Sequence, residues 1–475
     1  MRHVTPKSAR PLPDPFLDPD STAPAIPVRA IVRGGLDAAL AALPAAQADY
    51  ARALDFRASA GAVLALPGSD GRVGLALLGL GDTVDPAQQA MLYGALATAL
   101  PAGACRLEGP VADPTLVSIA FGLGAYRFTA YRTDDKPGAQ LVLPREADVP
   151  EVRRVVSGAW LARDLINTPA NDMGPAELAE AARALAAKHG ATFSVTEGDA
   201  LLSVNLPLIH AVGAAAAPGR GPRLIEIGWG DPSRPRVTLV GKGVAFDTGG
   251  LDIKTSASML LMKKDMGGAA NALGLAATIM DAGLPVRLRV LIPAVENAIS
   301  GAAFRPGDIL RSRKGLSVEI GNTDAEGRLI LADALALASE EAPELLIDLA
   351  TLTGAARVAL GPDIVPFFTA DDSLAAEIGR HAAATADPLW RLPLWEPYTR
   401  LFESKVADFN NAGSSSFAGA ITAALFLSRF VADTSRWLHA DIFAWTPTAR
   451  PAKPEGGEAQ AIRAIYAMLR ARYGR

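Results

Sequence analysis

Two glycine-rich segments of the chain place charged side chains beside apolar runs. In the first, residues 237–266 (VTLVGKGVAFDTGGLDIKTSASMLLMKKDM), an apolar stretch carries Lys242 and ends at Asp247, and Lys254 and Asp265 follow. Burying lysines and aspartates next to an apolar strand costs free energy unless the charges are paired or bind a cation. The segment therefore indicates either a set of ion pairs or a cation site.

The second segment, residues 320–331 (IGNTDAEGRLIL), carries two carboxylates two positions apart. Asp324 and Glu326 would project to the same side of an extended segment. Arg328 follows, and a helix begins there. We expect this segment at the C-terminal end of a strand, which is where sheets of α/β proteins commonly bind ligands.

Four carboxylates that share one pocket repel one another and take up protons unless cations neutralise them. Hard oxygen ligands suit Mg, Mn or Zn, and four carboxylates carry enough charge for two divalent ions. Two ions ~3.5–4 Å apart could activate a bridging water and polarise a carbonyl group. Taken singly, each acid could instead be a helix cap, a solvated charge or the ion-pair partner of a lysine. The four candidates are Asp247, Asp265, Asp324 and Glu326.

Alternating strands and helices must position these segments. Such alternation is typical of an α/β fold, and here it predicts a central mixed, mostly parallel sheet flanked by helices. We expect a small N-terminal α/β domain over residues 1–150 and a larger catalytic domain over residues 151–475, with a connecting helix at about 152–166. The predicted strands are 223–228, 237–246, 288–294, 345–349 and 365–370, and the predicted helices are 175–189, 269–282, 329–341 and 373–384.

Composition excludes several classes of protein. The single cysteine, Cys105, cannot form an internal disulfide or a cysteine zinc site, and no pair among the five histidines has the H-x-x-x-H spacing. The 46 basic and 50 acidic residues give a net charge of −4, which argues against nucleic acid as a partner. We find neither an uncharged apolar stretch long enough for a membrane span nor a secretory signal, so we expect a cytoplasmic location.

The two segments resemble the leucyl aminopeptidases, the cytosol aminopeptidase family. Residues 322–329 (NTDAEGRL) are similar to the signature of that family, and residues 240–250 (VGKGVAFDTGG) and 265–270 (DMGGAA) are similar to two further blocks in the same order. The resemblance covers roughly residues 155–445. It implies a metal-dependent aminopeptidase, a hydrolase that removes N-terminal residues, preferably leucine or other apolar ones, from peptides.

The resemblance also implies which residues hold two divalent ions, Mn²⁺ or Zn²⁺. A lysine can be a ligand only when it is neutral, so Lys242 would need a strongly lowered pKa. The implied ligands are Asp247 and Glu326, which would bridge both ions, Asp324, which would complete one site, and Lys242 and Asp265, which would complete the other.

Further residues would act on the substrate by the same resemblance. Lys254 would stay charged and stabilise the oxyanion of the tetrahedral intermediate. Arg328 would hold a bicarbonate-like anion that relays a proton from the attacking water. The free α-amine of the peptide would bind one metal ion and Asp265. The residues that would contact the rest of the substrate are Met262, Thr351 and Gly354, around the first side chain, and Leu352, through its backbone.

The resemblance further implies that the chain assembles as a homohexamer. Two alternatives to the aminopeptidase interpretation stay open. One is a non-catalytic binding or regulatory member of the same family. The other is a two-metal phosphoesterase, which would use similar carboxylates but would normally add histidines near the metal ions. None of the five histidines lies in the segments above.

Overall fold

The computed structural model describes residues 13–132 and 137–474. These residues form two compact units. One unit comprises the residues up to Ser157 together with Thr446–Glu455, and the other comprises Gly158–Trp445 and the residues from Gly456 onward. A division into folding domains at residue 150 stays a prediction.

The first unit is built on a six-stranded sheet with the order β1-β6-β5-β2-β4-β3. All of its pairings are parallel except the antiparallel pair β3 and β4. Buried leucines of β3 and β4 pack with apolar side chains of α1 and α2. The strands are β1 (Phe16–Leu17), β2 (Ala25–Val32), β3 (Val63–Pro67), β4 (Val73–Gly81), β5 (Gly103–Glu108) and β6 (Ala139–Val142). The helices are α1 (Leu36–Ala41), α2 (Ala45–Ala53), α3 (Pro86–Leu92), α4 (Leu96–Ala99) and α5 (Pro114–Gly124).

A long helix, α6 (Val149–Asn167), follows the first sheet where the sequence predicts a helix at 152–166. The remaining helices are α7 (Pro175–Lys188), α8 (Ala200–Ser203), α9 (Pro207–Gly213), α10 (Ser256–Met259), α11 (Gly267–Asp281), α12 (Gly327–Ser339), α13 (Gly354–Leu360), α14 (Asp372–Ala384), α15 (Gly419–Ser428) and α16 (Ile462–Tyr473). None of the helices in the described residues is both long and apolar enough to cross a membrane.

The second unit contains a larger sheet with the order β16-β15-β18-β14-β9-β11-β8-β7, and β10 pairs with β11 beside this path. Its strands are mixed and mostly parallel, with antiparallel pairs at β15–β18, β11–β8 and β8–β7. The predicted α/β class with a mixed, mostly parallel sheet flanked by helices is confirmed. The strands from here on are β7 (Thr192–Glu197), β8 (Arg223–Trp229), β9 (Arg236–Gly241), β10 (Gly243–Asp247), β11 (Arg287–Asn297), β12 (Ile309–Arg311), β13 (Ser317–Glu319), β14 (Leu345–Ala350), β15 (Val365–Phe368), β16 (Leu389–Arg391), β17 (Phe409–Asn410), β18 (Trp437–Asp441), β19 (Trp445–Thr446) and β20 (Gly456–Gly457).

The predicted strand at 237–246 is wrong in one respect, because it is two strands that break at Lys242. The Lys242 N–H still donates to Leu349 O at 3.0 Å on β14, but its carbonyl accepts from Ala269 N at 2.8 Å on α11. The first turn of α11 lies so close to the break that a Cβ on Gly241 would sit 2.6 Å from the Cα of Ala269. The break therefore removes the Lys242 carbonyl from the ladder and seats α11 against the sheet.

The core of the second unit lies between β9, β11 and β14 and the helices that pack on them. Leu329, Ile330 and Leu335 of α12 are fully buried there. Buried side chains of α9 and α15 belong to the same cluster. Because α12 is held by this packing, the backbone that precedes its first turn is fixed relative to the end of β10.

Candidate active site

The charged side chains of the two segments lie close together, beside the C-terminal end of β10 and the residues that lead into α12. Asp247 ends β10, Asp265 lies on the 3₁₀ turn Met262–Met266, and Glu326 immediately precedes α12. All three are buried, and each has a carboxylate oxygen within 4.8 Å of the other two. With Lys242 and Asp324 they form what we call the carboxylate cluster.

Lys242 lies at the centre of the carboxylate cluster and is only 3% exposed. Its Nζ is 2.8 Å from Asp265 Oδ2 and 3.0 Å from Glu326 Oε1, and it donates to Thr351 O at 2.9 Å. Its aliphatic chain crosses Gly327, where a Cβ would lie 2.4 Å from Lys242 Cε. The glycine of the second segment thus leaves room for the lysine of the first.

The electrostatics around Lys242 differ from the neutral state implied by the family resemblance. Burial lowers the pKa of Lys242, but the charges of Asp265, Glu326 and Asp247 outweigh burial and raise it above its usual value. With these partners alone the lysine is an ammonium ion. A neutral Lys242 therefore requires another cation to take over the carboxylates.

Lys254 and Asp324 close the other side of the carboxylate cluster. Lys254 Nζ lies 2.9 Å from Asp247 Oδ2 and also contacts Asp324 Oδ1. Burial lowers the pKa of Lys254, but the two carboxylates outweigh it and raise the pKa. Burial, and then the charge of Asp247, raise the pKa of Asp324 to about 6 and that of Glu326 well above its usual value. The acids thus repel one another even with both lysines present.

The residues present fit a divalent metal. Asp265 Oδ2 and Glu326 Oε1 are buried, and both face the single ammonium nitrogen of Lys242, at 2.8 and 3.0 Å, with no other hydrogen-bond donor among the described residues. One ammonium cannot balance all the carboxylates of the cluster, whereas hard divalent cations would. The donors are oxygens and one amine, a set that Mn²⁺ or Zn²⁺ can accept.

Asn297 supports the carboxylate cluster and was not anticipated from the sequence. It is buried at the end of β11, and its Nδ2 donates to Asp247 Oδ1 at 2.8 Å and to Thr323 O at 3.1 Å. One amide therefore fixes the carboxylate of the first segment and the backbone of the second. It lies in neither glycine-rich segment, so no spacing pattern could have identified it.

Arg328 lies in the first turn of α12. Its Nη1 donates to Asn411 O at 2.7 Å, and its guanidinium lies 6.0 Å from the centre of the Phe426 ring. Burial lowers its pKa to about 10. Its Nε is buried without a hydrogen-bond partner, which fits the binding of an anion.

A cavity of about 650 Å³ opens beside the carboxylate cluster. It brings together nine of the predicted site residues, and Glu326 joins them through its contact with Lys242, whereas Arg328 is not part of the lining. The nine are Lys242, Asp247, Lys254, Met262, Asp265, Asp324, Thr351, Leu352 and Gly354.

The backbone after β14 is held in place by Asp441, a second residue that sequence reasoning missed. Asp441 Oδ1 accepts from the N–H groups of Leu352 and Thr353 at 2.9 and 3.1 Å, and its Oδ2 accepts from Thr353 Oγ1 at 2.6 Å. Thr351 Oγ1 donates to Asp265 Oδ1 at 2.9 Å. Since the Leu352 N–H is engaged, its carbonyl is the backbone group left for a substrate.

Lys264 is a third unanticipated residue of the cavity. It is 6% exposed, and its Nζ lies 4.8 Å from the centre of the Phe443 ring. Burial lowers its pKa to about 8, in contrast with the raised pKa of Lys242. The lining therefore contains two kinds of buried lysine, one surrounded by carboxylates and one facing an aromatic ring.

The comparisons with known proteins agree with this geometry. The model of the catalytic domain of the cytosol aminopeptidase family matches residues 160–466, and a model of the aminopeptidase N-terminal domain matches residues 26–144. The chain belongs to the cytosol aminopeptidase family. Members are metal-dependent aminopeptidases, so the predictions of the family and of a metallo-exopeptidase, a hydrolase, are confirmed.

Several relatives span most of this cytosol aminopeptidase chain. It is 42% identical over 372 residues to a probable cytosol aminopeptidase of Geobacter, covering 74% of this chain and 75% of that protein. Among solved structures, the cytosol aminopeptidase of Coxiella burnetii is 46% identical with a TM-score of 0.90, covering 96% and 99% of the two chains. The bottromycin maturation enzyme BotP in complex with Mn is 35% identical with a TM-score of 0.85, covering 94% and 99%. A tomato leucine aminopeptidase variant is 29% identical with a TM-score of 0.84, covering 98% of each chain.

Proposed function

We propose that this aminopeptidase removes N-terminal leucine and other apolar residues from peptides with a free α-amine, using two divalent metal ions, Mn²⁺ or Zn²⁺. The observation that carries the proposal is the buried carboxylate cluster, in which Asp265 and Glu326 share the one ammonium of Lys242, beside a cavity of about 650 Å³. When bound, the ions would polarise the scissile carbonyl and lower the pKa of a water molecule. BotP, which is similar in fold, binds Mn.

The carboxylate cluster supplies the ligands in this proposal. Asp247 and Glu326 would hold both ions, Asp324 would complete one site, and Lys242 and Asp265 the other. Lys242 would give up its proton to become a ligand, because the ions would replace it as the partner of the acids. Asn297 would keep the Asp247 carboxylate oriented, as residues behind metal ligands commonly do.

Two cations would act on the reacting groups. Lys254 would remain an ammonium ion and stabilise the negative charge that develops on the carbonyl oxygen. The raised pKa of Lys254 supports this role. Arg328 would bind a bicarbonate-like anion through its free Nε, and that anion would accept a proton from the attacking water.

The cavity lining would orient the peptide. The free α-amine would lie next to Asp265. Met262, Thr351 and Gly354 would surround the first side chain, and the Leu352 carbonyl would accept a hydrogen bond from the substrate backbone. Met262 contributes an apolar side chain to the cavity lining, which supports a preference for apolar first residues.

Hydrolysis of leucine-p-nitroanilide tests the proposal. We expect activity that a chelator abolishes and that Mn²⁺ or Zn²⁺ restores, and full activity in the chelated protein would contradict it. A panel of phosphate esters tests the phosphoesterase alternative, which family membership disfavours. A complete lack of peptidase activity in the metal-loaded protein would instead support a non-catalytic binding member of the family.

The assembly, the location and the division of the chain are parts of the same proposal. We propose a homohexamer in the cytoplasm, supported by the family relationship, with an N-terminal domain over residues 1–150. Light scattering during size-exclusion chromatography tests the hexamer. We expect no nucleic-acid partner, because the net charge is −4, and a gel shift at physiological salt would contradict that expectation.

A further inference from the structure

We propose that the cavity also accepts an N-terminal glutamate or aspartate, whose side-chain carboxylate would pair with Lys264 and Arg357. The proposal rests on the proposed aminopeptidase function and adds a second class of substrate to it. Both cations face one aromatic ring of the cavity lining, and neither has a carboxylate oxygen within 4.0 Å among the described residues.

Lys264 is a buried lysine to which the described residues offer no ion-pair partner. In the part of the chain that the structure describes, no carboxylate oxygen lies within 4.0 Å of its Nζ. Its Nζ lies over the ring of Phe443, at 4.8 Å from the ring centre. Taking a charge out of water without a partner is unfavourable, and a cation–π contact offsets only part of that cost.

The acids around Lys264 already have other partners. Asp265 contacts Lys242 and accepts from Thr351 Oγ1. Asp441 accepts three hydrogen bonds from Leu352 and Thr353. The missing partner of Lys264 is therefore expected to come from outside the chain.

Arg357 reinforces the positive charge on the same ring. Its guanidinium lies 5.2 Å from the centre of the Phe443 ring, on the exposed side of the cavity. Among the described residues it has no carboxylate oxygen within 4.0 Å either. A carboxylate bound in this cavity next to Phe443 would be attracted by one desolvated and one exposed cation.

The position of the two cations points to the first side chain of the substrate. Lys264 and Arg357 line the same cavity as Met262 and Gly354, which are residues proposed for the first side-chain pocket. The C-terminal carboxylate of a short peptide has the same chemistry as the side chain of an N-terminal glutamate or aspartate. The test must therefore separate these two sources.

Paired substrates test the proposal with a matched set of variants. The kcat/KM values of α-glutamyl- and glutaminyl-p-nitroanilide, and of the aspartyl and asparaginyl pair, are measured beside leucine-p-nitroanilide. In Lys264→Met we expect the Glu/Gln ratio to fall at least about tenfold, because one charge of a desolvated pair is lost. Arg357→Met should lower the ratio less. Lys405→Met removes an exposed lysine outside the cavity lining and should leave the ratio unchanged.

The outcomes separate this proposal from the proposed function. If leucine-p-nitroanilide is hydrolysed but the Glu/Gln ratio is the same in all variants, the carboxylate subsite is wrong and the aminopeptidase function stands. If leucine-p-nitroanilide is not hydrolysed, the affinities of free glutamate and glutamine for wild type and for Lys264→Met are measured by calorimetry. Their ratio compares the Glu and Gln side chains without turnover. The variants could instead change only the ratio of kcat/KM for Leu-Gly to that for Leu-Gly amide. That result would show that the two cations bind the C-terminal carboxylate of the peptide, and it would overturn the proposal. Because Arg357 is exposed, its variant keeps the test valid even if Lys264→Met does not fold.

Discussion

The carboxylate cluster and a second buried cluster of polar side chains lie in the same unit, and the second does not line the cavity beside the first. The carboxylate cluster borders the cavity, whereas the second, the His439 cluster of Asp348, Trp437 and His439, is formed on β14 and β18. Asp348 Oδ1 accepts from His439 Nδ1 and its Oδ2 accepts from Trp437 Nε1, both at 2.6 Å. The His439 ring stacks on Trp437, and Phe368 covers it at 5.6 Å between ring centres.

The two clusters differ in the hydrogen-bond donors available to their acids and not in how deeply the acids are buried. Asp348 and His439 are both fully buried, and each oxygen of Asp348 has its own hydrogen-bond donor. Asp265 and Glu326 are nearly as buried, yet both depend on the one ammonium of Lys242, and the neighbouring acids repel one another. Buried acids that outnumber their donors and lie beside a cavity indicate a binding site.

The largest expected effect follows Glu326→Gln in the carboxylate cluster. The amide keeps the shape of the side chain but removes the charge that would hold both ions. We expect kcat/KM for leucine-p-nitroanilide to fall about 10⁴-fold, with the melting temperature unchanged or raised because repulsion with Asp247 is relieved. A variant that retains wild-type turnover would remove Glu326 from the site.

Asp348→Asn makes the matching change in the His439 cluster, and we expect the opposite result. The free energy of unfolding should fall by about 3 kcal/mol, since a buried pair loses one partner. Activity per folded molecule should stay close to wild type. Denaturant titration and active-site-normalised kinetics measure the two quantities. A large loss of kcat without destabilisation would show that the His439 cluster, like the carboxylate cluster, serves catalysis.

Asn297→Ala tests the support behind the carboxylate cluster. Removing the amide frees the Asp247 carboxylate and the Thr323 carbonyl from their shared donor. We expect activity to fall by roughly 10–100-fold, with a comparable weakening of metal affinity. Titration of the chelated variant with Mn²⁺ checks this, and an unchanged affinity would show that Asp247 needs no orientation.

The smallest effect concerns the pH dependence of stability. Burial lowers the pKa of His439, but the charge and hydrogen bond of Asp348, with Asp441, outweigh it and raise the pKa above its usual value. The stabilisation is therefore complete below about pH 6.5, the unfolded pKa, and is lost as pH rises through the raised folded pKa. Unfolding free energies measured across this range should decline in wild type and be flatter in Asp348→Asn. A decline of the same size in that variant would exclude the pair as its cause.

Much of the second unit could be predicted from the sequence because its strands are continuous apolar runs and its helices have clear apolar spacing. The predicted helix 175–189 is α7, and the predicted strand 345–349 is β14. The break at Lys242 could not be predicted, since it depends on the close approach of α11 to Gly241. Local pattern does not report such tertiary packing.

The residues of the site likewise include some that the sequence could predict and some that it could not. Asp324 and Glu326 share one short segment, so their spacing and composition predicted their proximity. Asn297, Asp441 and Lys264 have no such pattern around them, and their roles depend on which side chains the fold brings near. That the described residues bring no carboxylate to Lys264, in particular, depends on the tertiary structure.

The proposed metal site is tested by equilibrium dialysis against Mn²⁺, followed by metal analysis of wild type, Glu326→Gln and Asp348→Asn. We expect about two ions per chain in wild type and in folded Asp348→Asn, and fewer in Glu326→Gln. Equal metal content in wild type and Glu326→Gln, or a wild type that hydrolyses leucine-p-nitroanilide without bound metal, would contradict it.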